Sequence, residues 1–217
     1  FISSIKHMKA LIVVALKAEF NDEIPKDFKI LYTGVGKVNA AFNLTKTLEM
    51  LNKPPPLIIN YGTAGSKNLD IGQMVDCTKF IQRDMYIKQF GLKPGETAFD
   101  NETYKKHYKT QTPPIIIDFK NKINNNPLGN NLLCATGDNF VTEFNSDLSD
   151  IEKTYGEDLS VIDMEAYALA KIAFSYNISF ISFKYITDNL NSKGSSDWEK
   201  HVSKGAKKFK ELLQKYK

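Results

Sequence analysis

The apolar positions of the chain gather into short runs, separated by stretches of helical or irregular character. Residues 9–16 (KALIVVAL) form a continuous apolar run of strand length, the pattern of a strand covered on both faces. Residues 28–33 and 57–61 repeat it, and residues 38–51 between them carry apolar positions at helical spacing. Strand, helix, strand in that order predicts a right-handed parallel crossover. Residues 74–83 read as a further strand after the turn signal Asp70-Ile71-Gly72, and residues 132–136, 160–163 and 179–186 as later ones. Helices are expected near 164–177 and 196–216. Residues 85–130, dominated by Lys, Asn, Gly and Pro, offer one strand at 115–119 and otherwise predict a variable surface. This is more strand than a small doubly wound sheet needs. The expected fold is therefore α/β, a three-layer sandwich whose twisted, mixed central sheet is flanked by helices.

At 217 residues the chain suits one large domain spanning 1–217, and residues 1–7 ahead of Met8 read as an extension. The Pro-rich stretch at 53–56 and the Asn-rich stretch at 121–131 are short enough to be loops within that domain. Twenty-nine basic and 25 acidic residues give a net charge of +4, with lysines spread evenly except over 204–217. There Phe209, Leu212 and Leu213 recur opposite the lysines, so the run predicts the wet face of a helix and no nucleic-acid partner. Cys77 and Cys134 lie in apolar surroundings without metal-ligand spacing and read as core residues of a protein in a reducing compartment. No apolar stretch reaches membrane-span length and no signal-peptide core is evident. A cytoplasmic location without a membrane partner is expected.

Two glycine motifs invite a phosphate-binding reading. In YTGVGKVNAA (32–41) the dinucleotide fingerprint needs a third glycine where Asn39 stands. A phosphate loop would need Ser or Thr at Val38 and glycine at Leu31. Both patterns fail. What remains is a strand-to-helix turn that either lets backbone approach a ligand or serves as turn geometry alone. NYGTAGS (60–66) likewise places small residues at a strand end, where ligands collect in open α/β sheets.

Acids recur at the ends of apolar strands: Glu19, Asp138, the Asp163/Glu165 pair and Asp188. A single Asp after a strand is commonly a helix cap. Capping does not explain Glu165, which sits among Met164, Ala166, Ala168 and Leu169 and needs polar partners there. Several acids without a histidine cluster point to a neutral or cation-developing substrate, such as a sugar ring that becomes oxocarbenium-like. No metal or other cofactor is called for. None of His7, His107 and His201 stands in a recognisable nucleophile motif, which argues against acyl transfer.

Taken in order, Glu19, GVGKVNAA (34–41), NYGTAG (60–65), TGDNFV (136–141), VIDMEA (161–166) and YITD (185–188) resemble the nucleoside phosphorylase/nucleosidase superfamily. The resemblance is greatest to 5'-methylthioadenosine/S-adenosylhomocysteine nucleosidases. It implies a small-molecule purine nucleoside as substrate and a homodimer whose partner helps to close the substrate-tail pocket. It also implies roles. Asp188 would protonate adenine N7, and Glu19 would activate the attacking water. Glu165 would accept the ribose hydroxyls, with Met164 packed beneath the sugar. Phe140 would stack on the base with the Val141 backbone at its edge. Thr63, beside Ala64 and Gly65, would lie near ribose and water, where the family commonly has serine. Trp198 falls where relatives place an aromatic in the tail pocket, a core position being the other reading. Asp163 would brace the junction.

A phosphate nucleophile needs cationic, bidentate partners. Related phosphorylases carry arginine three positions before the hydroxyl residue, where this chain has Asn60, and ALKAEF after the first strand offers none. The expected reaction is hydrolysis of an adenine thionucleoside. A phosphorylase, a hydrolase of another purine nucleoside such as futalosine or AMP, and a non-catalytic binding homologue are the alternatives. Thr63, Lys184 in place of a common arginine, and Asp163 in place of glutamate depart from the family pattern and bear on substrate preference.

Overall fold

The computed structural model describes residues 8–99, 105–106, 111–191 and 194–216. The extension expected at residues 1–7, which contains His7, and His107 lie outside the described residues. Eight strands form one mixed sheet: β1 (Ala10–Val14), β2 (Phe28–Tyr32), β3 (Leu57–Gly65), β4 (Met74–Gln82), β5 (Ile117–Asp118), β6 (Leu132–Thr136), β7 (Val161–Asp163) and β8 (Ser179–Asp188). Five α-helices are used below: α1 (Lys37–Glu49), α2 (Ser146–Tyr155), α3 (Ala166–Ser175), α4 (Gly194–His201) and α5 (Ala206–Leu213).

Strand β1 is buried at all five positions because both of its faces are covered. Leu11 and Val13 point to one layer with Ala40, Leu44 and Leu48 of α1 and the alanine-rich face of α3. Ala10, Ile12 and Val14 point to the other, with Phe209, Leu212 and Leu213 of α5. The two-residue alternation of a strand thus divides one apolar run between two helical layers. Strands β2 and β3 flank β1 in parallel, joined through α1 as the crossover predicts.

The twist is strong enough to curl the sheet back on itself. Strand β3 pairs in parallel with β8, β8 antiparallel with β4, β4 in parallel with β6, and β6 in parallel with β7. Strand β7 then meets β3 again through Gly65 and Ile162. The ring brings the carboxyl ends of β3, β6, β7 and β8 together at one rim.

Several expectations need correction. Strand β3 continues through Gly65 and β8 through Asp188, beyond the expected ends at 61 and 186, with a register shift at Ala64/Gly65. The C-terminal helix is two, α4 and α5, broken over 202–205. Helix α2 has no counterpart in the sequence reading. It buries only Leu148 and Ile151, but its ends are marked: Asn145 Oδ1 accepts from Leu148 N at 3.1 Å, and Gly156 closes it at φ 65°. The Asn-rich loop is anchored by fully buried Asp76, whose carboxylate accepts from the Asn130 and Asn131 amides and from Asn126 Nδ2. Cys77 and Cys134 are buried free thiols.

Candidate active site

The rim encloses a cavity of about 360 Å³. Glu19, Thr63, Ala64, Gly65, Phe140 and Val141 all line it. So do Asp163, Met164, Glu165, Asp188 and Trp198, which means every residue singled out from the sequence as a site residue meets here.

Glu19 lies in the connection after β1 and is only 5% exposed. Its Oε1 accepts from Thr63 N at 2.8 Å and from Thr63 Oγ1 at 2.9 Å, and its Oε2 accepts from Leu16 N at 3.1 Å. Trp198, on α4, donates its indole N–H to the same Thr63 Oγ1 at 2.9 Å. The tryptophan therefore faces the Glu19 end of the cavity and not the core alone.

Asp188, the last residue of β8, is 2% exposed. Burial raises its carboxyl above the ordinary value, against the Leu190 amide and Thr187 hydroxyl, which hold it down. The absence of a side chain at Gly65 permits its position, since a Cβ there would collide with Leu190 and lie 2.7 Å from Asp188 Oδ1.

Asp163 and Glu165 stand two residues apart and do different things. Asp163 Oδ2 lies 2.8 Å from Lys184 Nζ, both side chains 1% exposed, and also accepts from Ala166 N at the start of α3. Its Oδ1 accepts from Thr136 Oγ1. Burial would raise Asp163, but Lys184 and these donors outweigh it and hold the carboxyl below the usual range. Burial would likewise lower the Lys184 amine, and Asp163 more than reverses this. Among the described residues Glu165 has only the Gly36 amide, donating to Oε1 at 2.9 Å. Burial first, then the Asp163 charge, push its carboxyl up to about 8.

The GVGK turn contributes through its backbone. Gly34 and Gly36 take φ of 80° and 91°, and the amides at the start of α1 point at protein carboxylates: Gly36 N at Glu165, and Lys37 N at Asp138 Oδ1, 2.7 Å away. The anion site expected of a helix N-terminus is occupied by the chain itself. Asn60, where phosphorylases have arginine, is buried and spends its side chain on Val13 O and Ser182 Oγ.

One cationic wall residue was missed. Arg83, just past the end of β4, lines the cavity and donates to Asn139 Oδ1 and to the carbonyls of Gly137 and Asn139, the loop that carries Phe140. A strand-end criterion applied to bases as well as acids finds it. Among the described lining residues Arg83 is the one base, against five carboxyl groups at positions 19, 163, 165, 188 and 199.

The model of the phosphorylase superfamily matches residues 27–217. The chain belongs to that superfamily. Within it, similarity runs to enzymes named 5'-methylthioadenosine/S-adenosylhomocysteine nucleosidase. The one from Buchnera aphidicola subsp. Schizaphis graminum is 29% identical over 194 residues, covering 86% of this chain and 78% of the relative. The one from Staphylococcus haemolyticus is 28% identical over 192 residues, covering 87% and 80%. In fold, the Helicobacter pylori nucleosidase in complex with butyl-thio-DADMe-Immucillin-A matches with a TM-score of 0.73 at 19% identity, covering 97% of this chain and 98% of that one. The superfamily fold is the mixed, helix-flanked sheet described above.

Proposed function

We propose that this chain hydrolyses the N-glycosidic bond of an adenine thionucleoside, 5'-methylthioadenosine or S-adenosylhomocysteine, and releases adenine. The observation that carries the reading is the pairing, in one cavity, of two carboxyl groups in opposed settings. Asp188 is buried with its carboxyl raised, as a group that must deliver a proton to purine N7 requires. Glu19 accepts three hydrogen bonds, two from Thr63 and one from Leu16 N, which fix its carboxyl group in place to draw a proton from water. The names of the related nucleosidases support the same substrate class.

In this reading Phe140 stacks on the departing base and Val141 meets its edge. Met164 lies beneath the ribose, whose 2'- and 3'-hydroxyls supply Glu165 with the partners it lacks. As the glycosidic bond stretches, electron density moves to the purine and is met by the Asp188 proton. Positive character at C1' is met by water oriented on Glu19. Each such proton transfer is worth roughly 10²- to 10⁴-fold.

Phosphorolysis is disfavoured by the electrostatics. Five carboxyl groups line the cavity, the Gly36 and Lys37 amides at the start of α1 are taken, and both terminal nitrogens of the Arg83 guanidinium donate to the 137–139 loop. Product analysis separates the two readings. Adenine should appear from methylthioadenosine in phosphate-free buffer, whereas a 5-methylthioribose 1-phosphate product with strict phosphate dependence would replace hydrolysis by phosphorolysis.

The same reading includes a homodimer. Val38 and Phe42, one turn apart on α1, are 77% and 63% exposed beside Val35, which lines the cavity. An apolar stripe at the pocket's edge suits a second copy. Light scattering should give twice the chain mass, and Phe42→Glu should halve it.

A further inference from the structure

We infer that Trp198 is a positioning residue for the hydrolytic base: its indole N–H fixes the Thr63 hydroxyl so that the hydroxyl proton is delivered to Glu19. The inference rests on the hydrolytic reading and adds to it a residue and a coupling.

Thr63 Oγ1 lies 2.9 Å from Trp198 Nε1 and 2.9 Å from Glu19 Oε1. An indole nitrogen can only donate, so the threonine oxygen must accept from it. The single hydroxyl proton is then left for Glu19. With Thr63 N donating to the same oxygen at 2.8 Å, Oε1 has both of its acceptor directions filled. Leu16 N takes one direction on Oε2 at 3.1 Å. One lone-pair direction of Oε2 remains, and this is the acceptor offered to the attacking water.

Without Trp198 the hydroxyl is free to turn toward water or a ribose oxygen, Oε1 regains a lone pair, and the base has two places to bind water instead of one. Because Trp198 belongs to α4, which also supplies Ser195 and Glu199 to the cavity wall, seating of this helix and orientation of the base become one event. A phenylalanine at the same position would pack but could not do this.

Trp198 is the only tryptophan in the chain, so the bond can be read directly. In the substrate-free protein, Thr63→Val should shift the tryptophan emission maximum to shorter wavelength as the indole N–H loses its partner, whereas Thr63→Ser should leave it in place. In kinetics with methylthioadenosine, Trp198→Phe should lower kcat about tenfold, a barrier increase of ~1.4 kcal/mol, with adenine affinity within about twofold of the parent. In the Thr63→Val background, Trp198→Phe should cost nothing further, because the bond is already gone.

An unchanged emission maximum in Thr63→Val overturns the inference. So does an effect of Trp198→Phe on KM alone, or an additive double variant, since a tail-pocket or packing contact would give those results. If the parent protein frees no adenine from methylthioadenosine, the hydrolytic reading fails instead, and the emission arm still decides whether the bond exists.

Discussion

Glu165→Gln should stabilise the substrate-free protein at alkaline pH and have little effect at mildly acidic pH. Among the described residues Glu165 has one hydrogen-bond donor, the Gly36 amide, and the Asp163 carboxylate for a neighbour; burial and that charge raise its carboxyl from 4.5 to about 8. A carboxyl raised on folding contributes stability that is fully present below its unfolded value and is lost as pH climbs through its folded value. The window therefore runs from about pH 4.5 to about pH 8. At ~1.4 kcal/mol per pH unit the ceiling is about 5 kcal/mol. Glu165 is half-buried and lines the cavity, so an effect of about 2 kcal/mol is the working expectation. Glutamine keeps an oxygen for Gly36 N and carries no charge at any pH. Urea unfolding of both proteins at pH 5 and pH 9 measures the difference. The glutamine variant should gain on the parent by about 2 kcal/mol between the two pH values. A stability gap that is the same at both, or that narrows at pH 9, would refute the reasoning.

Three further outcomes follow from the same geometry. Lys184→Met leaves Asp163 buried without its cation and should cost about 3–5 kcal/mol, read as a loss of urea-unfolding stability; under 1 kcal/mol would show the pair to be dispensable. Gly137→Ala would place a Cβ 2.7 Å from Arg83 Cζ, displacing the guanidinium that holds the Asn139–Phe140 loop. Adenine affinity should fall about tenfold by calorimetry, the size of one lost charge-assisted hydrogen bond, while an unchanged affinity would separate Arg83 from the base platform. Asp76→Ala removes the acceptor for three donors of the 126–131 loop and should lower stability by about 3 kcal/mol, read by urea unfolding, without changing turnover.

The strands were legible because a sheet covered on both faces needs unbroken apolar runs, and those runs have few other uses. Residues 132–136 coincide with β6, and β1, β2, β4 and β7 differ from their runs by one or two residues at an end. Strands β3 and β8 run further than expected because Gly62, Ala64, Gly65 and Asp188 are poor strand formers held extended by their neighbours on the ring. Helix α2 was hidden for the opposite reason: it buries so little that its periodicity is carried by Leu148 and Ile151 alone. The acids of the site were visible as charges at the ends of apolar strands, where packing gives no reason for them. Arg83 occupies the same kind of position, as a base just past the end of β4. What no local pattern could supply was pairing across the chain: Lys184 with Asp163, Trp198 with Thr63, and the α1 amides with Glu165 and Asp138. These contacts join residues 21 to 135 positions apart, and they divide the labour between Asp163 and Glu165 in a way that two neighbouring acids in a sequence do not reveal.

The central claim is that Asp188 supplies the proton that lets adenine leave, and one variant tests it most directly. Asparagine at that position keeps the shape and an oxygen for Leu190 N but has no acidic proton. The measurement is adenine release from methylthioadenosine in phosphate-free buffer by Asp188→Asn beside the parent, with adenine affinity determined for both. The account predicts ready release by the parent, a loss of roughly 10²-fold or more in the variant, and adenine affinity within about tenfold. Turnover by Asp188→Asn at the parent rate would contradict it.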